Sequence, residues 1–299
     1  IGPHPPFAPP LPFNRMYNPD RMPNPVRGDR DTDHMDAFLP YMNHAIWAED
    51  INDSHARVLK ARYYGEITFI DACIGRILDA LDASGRAEDT LIAFFADHGD
   101  HLGDHHAWQK ESFFDAACRI PFLLSWPERL PTGAQRTEFA CLTDLFGVAT
   151  GAAGEADLRD GCDLLGVAEG RAPARPHAVG MYGEPGTACF KIMIRDARWK
   201  YIFIANGGRE QLFDLAADPE ELRNRAGDET GERRRLRRLA VEACRVPGAA
   251  AALDGDDLRS FPFAEMPRKR IHQFDASRGV RGFPVRPEDV AGGRPGRAG

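Results

Sequence analysis

The chain has 299 residues, of which 43% are hydrophobic, and a formal net charge of -7 with a pI of about 5.8. This length and apolar content suffice for one large domain and a small one. The acidic balance gives no electrostatic footprint for nucleic acid. The sequence has no apolar run of the roughly 18 residues that a membrane-spanning helix needs. We therefore expect neither a nucleic-acid partner nor a membrane span, and the sequence leaves a homo-oligomer open.

The cysteines are scattered and form neither a CxxC pair nor a tight framework; they are Cys73, Cys118, Cys141, Cys162, Cys189 and Cys244. Scattered cysteines favour reduced, buried thiols over disulfides. They also favour a cytoplasmic over a periplasmic location, and no other feature of the sequence assigns the location. The chain begins with Ile1-Gly2-Pro3 rather than Met. We expect the natural N-terminus to lie upstream, so that a signal peptide can be neither assigned nor dismissed.

The first half of the chain predicts a mixed helix-and-strand domain. Prolines throughout residues 1–30 predict an extended or turn-like segment. Isoleucine and leucine at helical spacing predict a helix over 62–84, which Gly85 closes. Two apolar runs, at 90–96 and 120–126, predict buried strands. Strands with long helices nearby are typical of an α/β domain with a largely parallel sheet.

The second half of the chain changes character. Residues 143–154 predict a helix closed by glycine, and 190–194 and 200–205 predict two strands of a hairpin, with a third strand at 211–214. Pro219 begins a predicted short helix, and residues 229–245 predict a basic one. This smaller unit is predicted to be α+β with an antiparallel sheet.

We accordingly predict three regions. Residues 1–165 form the C-terminal part of a catalytic domain, and 166–245 form a small antiparallel-sheet subdomain. Residues 246–299 form an extended, partly disordered tail, because their later part is rich in Gly, Arg and Pro.

The segment after the first predicted strand carries the chemistry. Within ten residues it holds three aspartates and four histidines: Asp97, His98, Asp100, His101, Asp104, His105 and His106. Asp97 directly follows the apolar run, at a strand end, where α/β sheets bind ligands. Taken alone, such a residue is more often a cap than a metal ligand, but this density favours a site. Lys110 follows, and a cation, an anion and a lysine together are the layout expected for a phosphate or sulfate ester.

Three strings in the chain also resemble one protein family. Residues 63–127 are similar to the central part of a sulfatase, within the alkaline phosphatase superfamily. His4-Pro5-Pro6-Phe7 is similar to the family's upstream His-x-Pro-Phe element. RDARWKY at 195–201 and LFDLAADPEE at 212–221 are similar to its C-terminal small-domain patterns. The resemblance runs from about residue 1 to about 228. It implies an α/β, alkaline-phosphatase-like sulfatase fold: a partial mixed or parallel sheet flanked by helices, with a small α+β antiparallel-sheet subdomain.

The resemblance also implies roles for single residues. Asp97 and His98 match metal ligands, Lys110 matches the lysine that binds the ester anion, and His4 matches a histidine near the leaving-group oxygen, a candidate general acid. His105 or His106 faces the ester or selects the leaving group, at even odds with plain loop polarity. The implied cofactor is a divalent cation, with Ca²⁺ ahead of Mn²⁺ or Mg²⁺.

Two family elements are not found in this sequence. No Cys begins a Cys-x-Pro-x-Arg motif, the precursor of the formylglycine nucleophile, and the first acidic metal pair is absent. Both lie upstream of the His-x-Pro-Phe element in the family, so we expect them upstream of this chain.

The sequence therefore predicts a metal-dependent hydrolase of small-molecule sulfate esters, arylsulfatase-like, of which this chain is an inactive fragment. The alternatives are a phosphodiester or phosphonate monoester hydrolase of the same superfamily, and a non-catalytic anion-binding or interaction protein. The non-catalytic alternative gains support only if the upstream sequence lacks both the nucleophile motif and the first acidic metal pair.

Overall fold

The computed structural model describes residues 2–28, 36–155 and 157–266. Its helices are α1 (Phe38–Ala45), α2 (Asp53–Ala83), α3 (Asp115–Cys118), α4 (Asp144–Ala152), α5 (Leu164–Ala168) and α6 (Thr230–Ala243). Its strands are β1 (Ile92–Phe95), β2 (Phe122–Ser125), β3 (Ala178–Tyr182), β4 (Lys191–Arg195), β5 (Trp199–Ile204), β6 (Arg209–Asp214), β7 (Leu253–Asp254) and β8 (Asp257–Leu258).

The chain divides into two compact units. The first unit takes residues 1–77, 100–111 and 265–299, and the second takes 78–99 and 112–264. The short segment 100–111, which follows the Asp97-His98 pair, thus belongs to a different unit from that pair. The region boundaries expected at residues 165 and 245 stay a prediction.

Helix α2 begins nine residues before its predicted start at residue 62 and ends at Ala83. Its start is explained by Asn52, whose side-chain Oδ1 accepts a hydrogen bond from the backbone N–H of His55 at 3.0 Å, as an N-cap does. Its end agrees with the prediction, because Gly85 adopts a left-handed φ of 71° and donates to the carbonyl of Asp82 at 3.0 Å.

The first unit packs the proline-rich segment and part of the 100–111 loop on α2. As predicted, the segment is turn-like, with two 3-10 turns at Phe13–Arg15 and Pro19–Arg21. Glu66 of α2 is 8% exposed and accepts a hydrogen bond from the backbone of Ala8 at 2.9 Å. Trp108 of the loop joins a buried cluster with Ala56 of the same helix.

In the second unit, β1 and β2 pair antiparallel, with Phe94 opposite Leu123. The expectation of a largely parallel sheet is wrong for this pair. A parallel pair needs a crossover connection, usually an α-helix, and the only α-helix between β1 and β2 in the described chain is the four-residue α3.

The prediction that both strands are buried is also wrong. Phe122 and Leu124 of β2 face a cluster formed with Val148 of α4. The opposite face of the pair is open, and Phe94 and Leu123 are 41% and 56% exposed. Alternating side-chain direction explains why neighbouring residues of β2 differ in exposure, whereas Phe94 and Phe95 of β1 are both exposed.

The small sheet is antiparallel, as predicted, and has the order β3-β4-β5-β6. The sequence missed β3. Every residue of β5 is buried. On one face, Tyr201 and Phe203 pack with Leu236 of α6, so alternation directs Lys200 and Ile202 to the other face.

The predicted helix at Pro219 is a turn. Glu221 has a left-handed φ of 56°. The Asp218 carboxylate accepts hydrogen bonds from the backbone of Leu222 and Arg223, at 3.1 and 2.8 Å. Aspartate side chains compete in this way with helical hydrogen bonding.

The described part of the predicted tail is folded. Residues 246–266 contain a 3-10 turn at Ala250–Ala252 and the β7–β8 hairpin, and Ala252 and Leu258 join the α6 core. The burial of these two apolar side chains explains why the segment is folded, and the sequence pattern did not predict it. Residues 267–299 lie outside the described part.

Within the described ranges, no helix combines the length and hydrophobicity needed to cross a bilayer. All six cysteines are free of disulfides. The expectation that they are buried holds for Cys244 and not for Cys189, which is exposed.

We predict that Leu236→Ala lowers the free energy of unfolding of the second unit by about 3 kcal/mol, because it leaves a cavity at a fully buried position. The control is Val246→Ala in the same unit, where the side chain is 54% exposed and the expected change is below about 0.5 kcal/mol. Denaturant unfolding measures both. Equal losses would contradict the assigned core.

Candidate active site

Asp97 and His98 lie immediately after β1 and face each other. The Oδ2 atom of Asp97 is 3.5 Å from Nε2 of His98, and the backbone N–H of His98 donates to Asp97 Oδ1 at 3.0 Å. The Asp97 side chain is 83% exposed and that of His98 is 34% exposed. The pair therefore presents a carboxylate and an imidazole together on the surface of the second unit.

The hydrogen bonding of His98 determines which ring nitrogen can bind a ligand. Nδ1 lies 2.7 Å from the carbonyl oxygen of Gly99. A carbonyl can only accept, so Nδ1 carries the proton, and Nε2 of the neutral ring keeps its lone pair. That lone pair lies on the Asp97 side. A backbone carbonyl on the second nitrogen is the usual support of a metal-binding histidine.

The donor set fits part of a divalent-cation site. Carboxylate oxygens suit Ca²⁺ and Mg²⁺, and an imidazole nitrogen also permits Mn²⁺. Among the described residues, no group of three or more His, Cys, Asp or Glu side chains is arranged to hold a metal ion. Asp97 and His98 thus supply two ligands, and a complete site needs further ones.

Gly99 fixes the turn that follows the pair. Its N–H donates to the carbonyl of Ala117 at 2.8 Å. A Cβ atom at this position would lie 2.1 Å from the carbonyl oxygen of Ala116, a backbone atom of α3 that cannot rotate away. Only glycine allows this close approach of the two backbones.

The 100–111 loop of the first unit has an unusual backbone. Leu102, His105, His106 and Gln109 have left-handed φ values of 49°, 53°, 54° and 70°. Such conformations are costly for residues other than glycine and persist only where the surroundings enforce them. Here Asp100 Oδ1 accepts hydrogen bonds from the backbone of Leu102 and Gln109, at 3.0 and 3.2 Å. Strain of this kind clusters at functional sites.

Two of the loop histidines are interior residues. His101 is 0% exposed and His105 is 4% exposed, and their rings meet edge to face at 6.1 Å. Burial, with a smaller contribution from His105, lowers the pKa of His101 to about 3. His101 is therefore neutral and structural. For His105, burial leaves almost no surface for a substrate, which favours the loop-polarity alternative.

His106 is exposed, and its backbone is hydrogen-bonded to Asn43 of α1. Its carbonyl accepts a hydrogen bond from Nδ2 of Asn43 at 2.7 Å, and Oδ1 of Asn43 accepts one from the backbone of Trp108 at 3.2 Å. The sequence analysis missed Asn43. Nothing in the local sequence around Asn43 indicates that its side chain hydrogen-bonds the backbone of a loop more than sixty residues away.

The remaining predicted residues, Lys110 and His4, also belong to the first unit. Lys110 is half-buried, and no described residue accepts a hydrogen bond from its Nζ. His4 is exposed, and its Nδ1 lies 2.8 Å from the carbonyl of Pro5. The structure thus brings Asp97 and His98 together, while His4, His105, His106 and Lys110 share the other unit.

We predict that Gly99→Ala destabilises the second unit by at least about 2 kcal/mol, because the added methyl overlaps a backbone carbonyl. Gly231→Ala in α6 is the matched control, since nothing lies within 4 Å of its added methyl and alanine favours a helix. Thermal unfolding distinguishes the two. A neutral Gly99→Ala would refute the close approach of the two backbones.

We predict that His101 makes stability fall as pH falls below its unfolded pKa of about 6.5 towards 3, because only the unfolded state binds the proton there. His101→Leu should remove up to about 1.4 kcal/mol of this loss per pH unit. Unfolding free energies of both proteins at pH 6.5 and 4.5 provide the test. Parallel pH profiles would show that His101 is not buried as the neutral form.

Comparison with known proteins identifies the family. The sulfatase family matches residues 1–155. The choline-sulfatase of Rhizobium meliloti (strain 1021) is 32% identical over 61% of this chain and 36% of that protein. A multifunctional alkaline phosphatase superfamily protein of Trinickia caryophylli is 32% identical over 76% of this chain and 50% of that protein.

A solved structure gives the same answer for the fold. The phosphonate monoester hydrolase of Agrobacterium radiobacter aligns with a TM-score of 0.72 and 29% identity, covering 87% of this chain and 59% of that chain. The present chain thus spans only about a third to a half of the length of these two curated relatives. The family match covers more than half of the chain. The chain therefore belongs to the sulfatase family and has the alkaline-phosphatase-like fold.

Proposed function

We propose that the whole protein is a metal-dependent hydrolase of small-molecule sulfuric esters. The observation that carries the proposal is the His98 Nε2 lone pair on the side of the Asp97 carboxylate, 3.5 Å from its Oδ2 atom. Membership of the sulfatase family and similarity to a choline-sulfatase support the ester class. The particular ester is not part of the proposal.

In this proposal, Asp97 and His98 hold a divalent cation, with Ca²⁺ the first candidate and Mn²⁺ or Mg²⁺ the alternatives. Such a cation supplies positive charge beside the ester oxygens, where negative charge develops during hydrolysis. The exposure of the Asp97 side chain, at 83%, leaves its oxygens accessible to an ion from solvent. The Gly99 carbonyl keeps His98 in the tautomer that can bind the ion.

Lys110 and His4 take the roles that the family resemblance implies. Nζ of Lys110 donates to a non-bridging oxygen of the ester. His4 gives a proton to the leaving alcohol. With Nδ1 directed at the Pro5 carbonyl, the proton transferred is the one on Nε2.

The nucleophile is proposed to be a formylglycine encoded upstream of residue 1. No Cys-x-Pro-x-Arg motif occurs in the chain, and its Ser-x-Pro-x-Arg string, Ser125 to Arg129, begins at the end of β2 opposite Ile92, the residue of β1 farthest from Asp97. Loss of a nucleophile costs on the order of a million-fold in turnover, so the 299-residue chain by itself is expected to be inactive.

A second candidate is a phosphonate monoester or phosphodiester hydrolase. It is favoured by the TM-score of 0.72 with a phosphonate monoester hydrolase over 87% of the chain. Fold similarity does not decide between ester classes. Hydrolysis of a phosphonate ester and hydrolysis of a sulfate ester both develop negative charge on the ester oxygens. The two reactions therefore place similar demands on a cation and a lysine.

The test uses the product of the full open reading frame, stripped of metal and reloaded with Ca²⁺ or Mn²⁺. We predict hydrolysis of 4-nitrophenyl sulfate, with kcat/KM at least 100-fold lower in Lys110→Ala, because one donor to the developing charge is lost. Arg86→Ala is the control, since it also removes one positive charge, from a side chain that is 70% exposed. Its expected change is less than two-fold.

Assays with 4-nitrophenyl phenylphosphonate separate the two candidates. A higher kcat/KM for the sulfate supports the leading proposal, and a higher value for the phosphonate supports the second. Hydrolysis of neither ester with either cation would contradict both.

A further inference from the structure

Lys200, in the WKY string that the proposed function does not use, is a fully buried lysine of the second unit. Its residue is 0% exposed, and its position on β5 directs it away from the α6 core. Nζ donates to the carbonyl of Phe113 at 3.0 Å, to Asp115 Oδ1 at 2.5 Å, and meets Glu221 Oε1 at 2.6 Å. The Phe113 carbonyl and Asp115 Oδ1 thus accept hydrogen bonds from the ammonium group, and Glu221 Oε1 makes an ion pair with it without hydrogen-bond geometry.

The surrounding charges balance. Asp115 and Glu221 carry two negative charges, and Arg195, whose guanidinium lies 3.6 Å from Asp115, adds a second positive charge to that of Lys200. The other oxygen of Glu221, Oε2, accepts the backbone N–H of Asp115 at 2.6 Å. Removal of Lys200 would leave the buried Glu221 carboxylate and the partly exposed Asp115 carboxylate close together without this cation, so the 113–115 backbone would have to move.

Asp115 connects this ion cluster to the Asp97-His98 pair. It is the first residue of α3, which is only four residues long. The next two residues, Ala116 and Ala117, provide the carbonyls against which Gly99 packs and hydrogen-bonds. Gly99 in turn supplies the carbonyl that fixes the His98 ring, at 2.7 Å from Nδ1.

We propose that Lys200 is a positioning residue for the Asp97-His98 pair: its ammonium fixes α3, α3 fixes Gly99, and Gly99 fixes the His98 tautomer and orientation. Every contact in this series lies within the second unit. The proposal rests on the proposed function for its consequence, since the orientation of His98 matters most if the pair binds a cation. Loss of a group that hydrogen-bonds a metal ligand directly, as the Gly99 carbonyl does with His98, typically costs 10- to 100-fold in affinity, and Lys200 acts on that group through α3.

The test compares Lys200→Met with wild type in the product of the full open reading frame. We expect Ca²⁺ and Mn²⁺ affinity, measured by calorimetry on metal-free protein, to fall at least about 10-fold. In steady-state assays at a fixed cation concentration that saturates wild type, kcat should fall while KM for the ester changes less than about three-fold. Unchanged cation affinity in folded Lys200→Met would overturn the proposal.

A matched control distinguishes positioning from general destabilisation. Arg175→Met breaks another ion pair of the second unit, with Asp144, which is 0% exposed. We expect a comparable loss of thermal stability and unchanged cation affinity. Equal losses of affinity in Arg175→Met and Lys200→Met would show a merely structural role.

Two further measurements keep the proposal falsifiable. If Lys200→Met does not fold, Glu221→Gln retains an acceptor for the Asp115 N–H while weakening the cluster, and it should lower cation affinity about three-fold or more. If the wild type binds no cation, the proposed function fails, and NMR of ¹⁵N-histidine-labelled protein still tests the positioning. The His98 ring nitrogens should change shift in Lys200→Met and not in Arg175→Met; unchanged shifts in both would overturn it.

Discussion

The second unit depends on one buried ammonium group. An isolated charge in a protein interior is very costly, so Lys200 is tolerated only because Asp115 and a backbone carbonyl accept its protons and a carboxylate oxygen of Glu221 lies 2.6 Å from its Nζ. Burial also raises the pKa of the neighbouring Cys118 to about 11, which keeps that thiol protonated. Strand β5, the 219–221 turn and α3 therefore meet at one compensated cluster, and none of the three can move without exposing a charge to an apolar interior.

Backbone contacts, rather than side-chain packing, connect the fixed position of α3 to the exposed Asp97-His98 pair. Gly99 has no side chain, and its N–H lies 2.8 Å from a carbonyl of α3. The adjoining 100–111 loop uses left-handed residues and aspartate side chains to reverse direction within a few residues. The hydrogen bonds of the Asp97-His98 pair thus engage Oδ1 of Asp97 and Nδ1 of His98, and the proposed cation would bind the other oxygen and the other ring nitrogen.

Much of this arrangement follows from sequence, and the reasons are local. An apolar run ending in Asp97-His98-Gly99 locates a strand end with candidate ligands and a turn, and two short runs at 190–194 and 200–205 locate the small sheet. The pairing direction of β1 and β2 and the exposure of Phe94 depend on what covers each face, which no local pattern encodes. The clamp by Asn43 and the burial of His105 likewise arise from contacts between residues far apart in the chain. The sequence indicates only that Lys200 lies in a strand, and its ion pairs with Glu221 and Asp115 are known from the structure alone.

The account stands on Asp97 and His98 as ligands of one cation, and magnetic resonance tests this most directly. Mn²⁺ would be bound to the product of the full open reading frame labelled with ¹⁵N-histidine, and electron–nuclear double resonance would be recorded. The account predicts a hyperfine coupling from one directly bound imidazole nitrogen, present in wild type and absent in His98→Ala. A spectrum with no histidine coupling, or one that His98→Ala leaves unchanged, would contradict it.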